Sequence, residues 1–435
     1  MLVSVREGDP RSLEETTRDL NVEAEPTPQP MNPTAEQIGS ADLVVGILTE
    51  LDSNALAKMC DALSTLPSPL RIAVLHDDQQ KAAASVNSET TQERAFVFHV
   101  PSLLAKPSVP TTGIVGMSET YQSVFAAAEK LQAQGCCIIA SKLEMATPPW
   151  AWRIAQPLFE SQADLVLPHY ARHKFEGLLN ASIIAPMMRA LYGKRINNPM
   201  GPDFGVSQRL FQKMLAAKVG GNHLNALASL TPTALCQNLQ IIEVHFGTRS
   251  YPPTDWSNMS SVLADVLAPV FVDMERNAPF WQRTRTSVPV RVMGEPHSPS
   301  DQDSAVMDER TMVESFQLGN RELQEIWSLV LPPSSLFELR KLSRLSIEQF
   351  RMPDELWVRI VYDFALAHRL RTISRDHLLR SMTPLYLGWV ASYARDLTLA
   401  GAMSPERRLE RLSLAYEAGK SYLVSRWRWP DRFNP

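Results

Sequence analysis

Glycine is scarce in this chain of 435 residues: 18 glycines stand against 32 prolines. That balance argues against an all-β fold built on tight turns. It also argues against a nucleotide site made from a glycine-rich loop, and neither G-x-x-x-x-G-K-[ST] nor G-x-G-x-x-G occurs anywhere. Cysteine is scarcer still, with four residues, Cys60, Cys136, Cys137 and Cys236. They are too few for a disulfide scaffold and none forms a C-x-x-C pair. Cys136 and Cys137 fall in an apolar run and read as buried small hydrophobes. No apolar run approaches the roughly 18 residues that a membrane span needs. The N-terminus lacks the basic and apolar regions of a secretory signal, so the expected compartment is the cytoplasm. Charge of one sign is also missing. The formal net charge is -4, which gives no global argument for nucleic-acid binding.

What is present is ordinary globular composition, 44% hydrophobic and 21% charged, with length for two or three domains. Residues 1–39 hold eight acidic and three basic side chains and prolines at 26, 28, 30 and 33. That composition predicts a disordered acidic tail. Ala41 to Leu48 is a β-branched apolar run suited to a strand buried on both faces, and Ser53 can cap the helix that follows. Leu70 to Leu75 reads as a second strand, 119–134 as a helix, and Cys136 to Ala140 as the next strand. Asp164 to Pro168 and Gln240 to His245 supply further strands. Alternating strand and helix is the grammar of an α/β open, mostly parallel sheet with helices on both faces. The polar, Pro/Ser-rich stretch 286–310 reads as a loop or linker. Beyond it the pattern is helical, with an apolar stripe over Leu356, Trp357, Ile360, Val361 and Phe364. The expected organisation is a tail (1–39), an α/β domain (40–285), a linker (286–310) and a helical domain (311–435) packed against the sheet.

In such a sheet a ligand crevice lies beyond the carboxyl ends of the strands. Thr49 and Glu50 follow the first strand, and Asp77 and Asp78 the second. Those carboxylates suit a base or ribose, although Asp is also a common turn residue. Ser141 and Lys142 follow the Cys136–Ala140 strand. Downstream lies a polar cluster, Pro168 to Lys174, then Gly177, Asn180 and the stretch Tyr192 to Phe204, YGKRINNPMGPDF. It interleaves Arg172, Lys174, Lys194 and Arg195 with Tyr170, Phe175 and Tyr192. A solvated basic face and a pocket for a small carboxylate or phosphate both fit that pattern.

Three segments carry a family resemblance: DLVLPHYARHKFEG, ALYGKRINNPMGPDFGVS and LWVRIVYDFALAHRLRTISRDHLLRSMTPLYLG. With the opening ADLVVGI and the S-K-L-E-x-x-T-P-P-W stretch, they resemble GT-A fold, family-2-like glycosyltransferases over roughly 41–430. The nearest subgroup is that of glucosyl-3-phosphoglycerate and mannosylglycerate synthases. The resemblance implies a nucleotide diphosphate sugar on the first half of the sheet and a small anionic hydroxyl acceptor over the second. On it, Thr49, Glu50, Asp77, Asp78 and Ser141 are expected at the donor. Tyr170, Arg172, Lys174, Asn180 and Gly201 are expected at the acceptor, and Lys142 and Asp203 in catalysis.

The resemblance also implies a divalent metal, Mg or Mn, held by an acidic D-x-D where this chain has Ala140-Ser141-Lys142. The family's later histidine falls near Gly247 to Tyr251, where this chain has tyrosine. Its acidic G-I-D segment corresponds to Gly221 to Leu230, which contains no carboxylate. The metal ligands therefore read as lost and no cofactor is assigned. Three readings stay open: a metal-independent transferase in which Lys142 and Arg249 neutralise the diphosphate, a degenerate homologue retaining a binding or regulatory role, and a protein-binding scaffold. The expected partners are a nucleotide sugar and an anionic acceptor, with no nucleic acid, no membrane span and a possible homo-oligomer.

Overall fold

In the computed structural model the described residues are 40–48, 53–64, 70–76, 95–99, 117–140, 149–219, 222–223, 225–248, 254–296, 307–399 and 403–430. The expected tail, 1–39, lies outside them. Eight strands form the main sheet: β1 (Leu43–Ile47), β2 (Ile72–His76), β3 (Ala95–His99), β4 (Gly135–Ile139), β5 (Leu165–Ala171), β6 (Phe204–Ser207), β7 (Ile241–Thr248) and β8 (Arg291–Met293). Their order is β8-β7-β5-β6-β4-β1-β2-β3. All neighbours run parallel except β6, which is antiparallel to both β4 and β5. This is the mostly parallel open sheet that the sequence predicts.

The apolar run of β1 is continuous because both faces are covered. Leu43, Val45 and Ile47 pack with α1 (Ser53–Ser64), whereas Val44 belongs to the opposite layer with α2 (Met117–Lys130). Cys136 and Cys137, both fully buried, divide between the same two layers. α3 (Pro149–Glu160) joins the α1 layer, and α4 (Ala185–Tyr192), α5 (Gln208–Ala216), α6 (Ala226–Cys236) and α7 (Met259–Arg276) fill the other. The side chains of Ser207 and Asn225 cap α5 and α6 by accepting from Leu210 N–H and Ala228 N–H.

Two elements differ from the sequence reading. β5 runs through Pro168 to Ala171 rather than stopping at 168, so Tyr170 is a strand residue. Within the stretch read as a linker, Arg291–Met293 adds to β7 as a parallel edge strand. Its three residues are largely exposed. An edge strand open to water has no need of an apolar composition, which is why it reads as loop.

The C-terminal helices include α8 (Glu309–Glu322), α9 (Asp354–Leu370), α10 (Thr383–Thr398) and α11 (Pro405–Arg428). The stripe on α9 is buried, with Trp357 stacked near Trp389 at 6.1 Å and Trp389 near Tyr393 at 5.4 Å. These helices hold the segment that follows β5. Tyr393 donates to the carbonyl of Lys174 (2.8 Å), Tyr416 to that of Ser182 (3.0 Å) and Lys420 to that of Leu191 (3.2 Å). Arg189 of α4 reaches Glu410 at 2.6 Å and Glu417 at 3.1 Å. Every described residue belongs to the unit Pro33–Pro435. Among the described residues, no helix is long and apolar enough to cross a membrane.

Candidate functional site

Because β6 runs against its neighbours, the residue entering it sits at the carboxyl ends of β4 and β5. That residue is Asp203, fully buried at 0% exposure. Its Oδ1 accepts from the backbone N–H of Ala140, just beyond β4, at 2.8 Å, and its Oδ2 accepts from the Tyr170 hydroxyl on β5 at 2.6 Å. Tyr170 leans edge-on to Phe246 of β7 at 5.9 Å, and Tyr121 of α2 donates to the carbonyl of Pro202 at 3.4 Å. One carboxylate thus joins the ends of the two strands that flank the antiparallel one.

Beside it lies a second polar group under the loop 196–203. Glu243 of β7 is fully buried. It accepts from the backbone N–H of Asn197 (2.8 Å), the Asn197 side-chain amide (3.0 Å) and the N–H of Asn198 (3.4 Å). Burial pushes its carboxyl up to about 7, against the pull of the Asn197 and Asn198 donors and of Arg172. His169 and His245, opposite each other on β5 and β7, stack at 4.6 Å. Burial, then His245 and Arg172, lower His169 to about 4, so it is neutral near pH 7.

Arg172 is half-buried beside both groups. Gly177 makes room for it. A Cβ there would lie 2.9 Å from Arg172 Nη1, and the φ of +61° is one that side-chain-bearing residues rarely adopt. Among the described residues Arg172 closes no ion pair with a carboxylate. Lys174 lies 5.1 Å over the Phe175 ring. Asn180 donates to the carbonyl of Asn197 at 2.9 Å. Gly201 packs so closely on the Asn198 amide that a Cβ would collide with it. The Asn198 side-chain nitrogen and the Asn180 side-chain oxygen are buried, without a hydrogen-bond partner among the described residues.

Of the residues expected at a site, Tyr170, Asp203, Arg172, Lys174, Asn180 and Gly201 fall on β5, on the loop entering β6, and on the turn and helix after β5. Thr49, Glu50, Asp77, Asp78, Ser141 and Lys142 lie outside the described residues, as does Arg249. Glu243 and Asn198 escaped the sequence reading. The one signal for Glu243 was a lone acid inside the apolar run Ile241 to Val244.

The divalent metal implied by the resemblance does not fit the described donors. Ala140 has no side-chain oxygen, so among the described residues the end of β4 offers the single carboxylate of Asp203, already braced by Ala140 N–H and Tyr170, in place of an acidic pair. Among the described residues, no group of three or more His, Cys, Asp or Glu side chains is arranged to hold an ion.

No protein-family model and no curated protein matches the chain. Solved structures do. One is glucosyl-3-phosphoglycerate synthase from Mycobacterium tuberculosis, in complex with Mn2+, UDP-glucose and phosphoglyceric acid. It is 15% identical with a TM-score of 0.37, over 56% of this chain and 84% of that one. Another is mannosyl-3-phosphoglycerate synthase from Rubrobacter xylanophilus, 13% identical with a TM-score of 0.38, over 57% of this chain and 79% of that one.

Proposed function

We propose that the protein transfers a hexosyl group from a nucleotide diphosphate sugar to a small anionic hydroxyl acceptor, without a divalent metal. The observation that carries this reading is Asp203, which bridges Ala140 at the end of β4 and Tyr170 at the end of β5. In an open α/β sheet the ligand crevice lies beyond those ends. There the Asp203 carboxylate forms a junction, with cationic Arg172 two residues beyond Tyr170 along the chain.

On this reading Arg172 and Lys174 hold the acceptor's carboxylate or phosphate by charge-assisted hydrogen bonds. Tyr170, its hydroxyl fixed by Asp203, orients the acceptor. Asp203 acts through Tyr170 and Ala140 and is a positioning residue. A departing nucleoside diphosphate needs its charge stabilised, by a metal or by cationic side chains. Lys142, two residues past Ala140, is assigned that task, and no step runs through a metal.

The test is calorimetric titration of UDP-, GDP- and ADP-glucose into the whole chain, with and without Mn2+. An assay of transfer to phosphoglycerate, the acid bound in the M. tuberculosis structure, accompanies it. Binding that ignores EDTA and weakens with salt is the expected result. Binding that requires Mn2+ would overturn the metal-free chemistry. Failure of every nucleotide sugar to bind would overturn the transferase reading itself.

A further inference from the structure

We propose that Glu243 is the positioning residue of the acceptor half, holding the loop 196–203 in the shape that sets Asp203 against Ala140 and Tyr170. What the loop serves rests on the transferase reading. How it is held does not.

The loop reads Ile196-Asn-Asn-Pro-Met-Gly-Pro-Asp203. Two prolines remove two of its eight backbone donors, leaving six main-chain N–H groups to fasten it. Two of these, on the adjacent residues Asn197 and Asn198, converge on Glu243, and the Asn197 side chain adds a third bond. Among the described residues the loop's other tethers also accept: Asn197 O from Asn180, Pro199 O from Thr231, Pro202 O from Tyr121, and the Asp203 carboxylate from Ala140 N–H and the Tyr170 hydroxyl. Glu243 is thus the acceptor that grips the loop through its donors, from the floor of the sheet. A carboxylate buried in an apolar strand is costly, and three donors at one carboxylate are what offset that cost.

The ionisable groups around it are few. Arg172 approaches from the segment after β5 and favours the carboxylate. His169 lies on β5 opposite His245, two residues on along β7, while the loop meets Glu243 with the amides of Asn197 and Asn198 and carries one carboxylate, Asp203, at its end. With the carboxyl poised at about 7, its charge changes across neutral pH. As pH falls through that value the acid becomes neutral. It keeps acceptor capacity for the two backbone N–H groups but no longer gains from the positive field of Arg172. Glutamine at 243 mimics the neutral form at every pH.

Hydrogen–deuterium exchange of the whole chain tests this, with Glu243→Ala and Glu243→Gln beside wild type. In Glu243→Ala the amides of Asn197 and Asn198 should exchange about tenfold faster or more, while those of β4 stay protected. In Glu243→Gln they should stay within about threefold of wild type. Wild type should show a step in loop exchange near neutral pH, after correction for intrinsic rates, and Glu243→Gln should lack it. Calorimetric titration of phosphoglycerate supplies the second readout, with weakening in Glu243→Ala and near-wild-type affinity in Glu243→Gln. Unchanged loop exchange in Glu243→Ala overturns the proposal, whatever binds. If Glu243→Ala does not fold, a step that persists in Glu243→Gln overturns it. Loosened loop exchange in a protein whose wild type binds no phosphoglycerate supports the positioning role and counts against the acceptor reading alone.

Discussion

Replacing Asp203 separates a carboxylate that holds strands together from one that performs chemistry. The side chain is fully buried and spends one oxygen on the Ala140 N–H at 2.8 Å and the other on the Tyr170 hydroxyl at 2.6 Å. Asp203→Ala removes both acceptors. A hydrogen bond to a charged group contributes about 1.5–3 kcal/mol, so the loss should be about 3–4 kcal/mol, allowing that two bonds to one carboxylate do not add fully. Asp203→Asn keeps an oxygen for the Ala140 N–H. Its amide can donate to a Tyr170 hydroxyl that turns to accept, which limits the cost to about 1 kcal/mol. Urea unfolding followed by tryptophan fluorescence measures both. If the asparagine variant is as unstable as the alanine variant, charge rather than hydrogen bonding holds this junction. An alanine variant within about 0.5 kcal/mol of wild type would refute the bracing role. The asparagine variant then reports on chemistry. A positioning role predicts transfer within about tenfold of wild type, whereas a general base predicts a loss of about a hundredfold or more.

Arg408 is 1% exposed and bonds Asp354 at 2.8 Å and Asp396 at 2.7 Å. Arg408→Ala should therefore cost about 3–5 kcal/mol in equilibrium unfolding, and a loss under about 1 kcal/mol would contradict it. If the proposed acceptor reading holds, Arg172→Ala should weaken phosphoglycerate binding about tenfold or more, with a shallower salt dependence than wild type, read by calorimetry. Two buried groups should oppose each other in the pH dependence of stability. Burial lowers His368 from 6.5 to about 4, so its contribution is whole above 6.5 and is lost as pH falls toward 4. Glu243 is raised from 4.5 to about 7, so its contribution is present at low pH and shrinks by about 3 kcal/mol as pH rises through that window. Unfolding free energies at about pH 5 and about pH 7 should thus tilt further toward neutral stability in Glu243→Gln and further toward acid stability in His368→Leu. A chain ending near residue 310 lacks the partners of Lys174, Ser182 and Arg189 on α10 and α11, and should lose its cooperative melt.

The strands that were legible are those whose own composition forces them. β1, β2 and β4 are apolar runs buried in the described layers, and any register that exposed them would cost several large side chains about 1.5–3 kcal/mol each. β6 was not legible. Phe204–Ser207 is four residues long and holds a glycine. Nothing local says that it inserts antiparallel between β4 and β5. The apolar run Asp164 to Pro168 marks a strand only as far as its proline, a residue that cannot donate to a ladder. The strand nevertheless continues to Ala171, and this extension places Tyr170 within reach of Asp203.

The site was legible as a set of residue types and hidden as a set of contacts. Tyr170, Arg172 and Asp203 stood out as polar groups among glycines, prolines and aromatics. Their partners are set by sequence separations of 33 residues for Tyr170 and 63 for Ala140, which only the sheet order closes. Ala140 is the instructive case. Read as a side chain, it is a missing carboxylate where the resemblance implies a metal ligand. In the fold its working atom is the backbone N–H, which every residue except proline carries, and a carboxylate from a distant loop docks there. Substitution at 140 therefore cannot be judged by what its side chain lacks. Asp at 140 would set a second carboxylate beside Asp203, and like charges at that spacing raise one of the two pKa values rather than restore a cation site. Ala140→Asp alone should destabilise the chain more at high pH than at low, and should not create Mn2+ binding by calorimetry. Stability that rises with pH in that variant, or tight Mn2+ uptake, would show that the junction has room for an ion and that Asp203 is free to hold it.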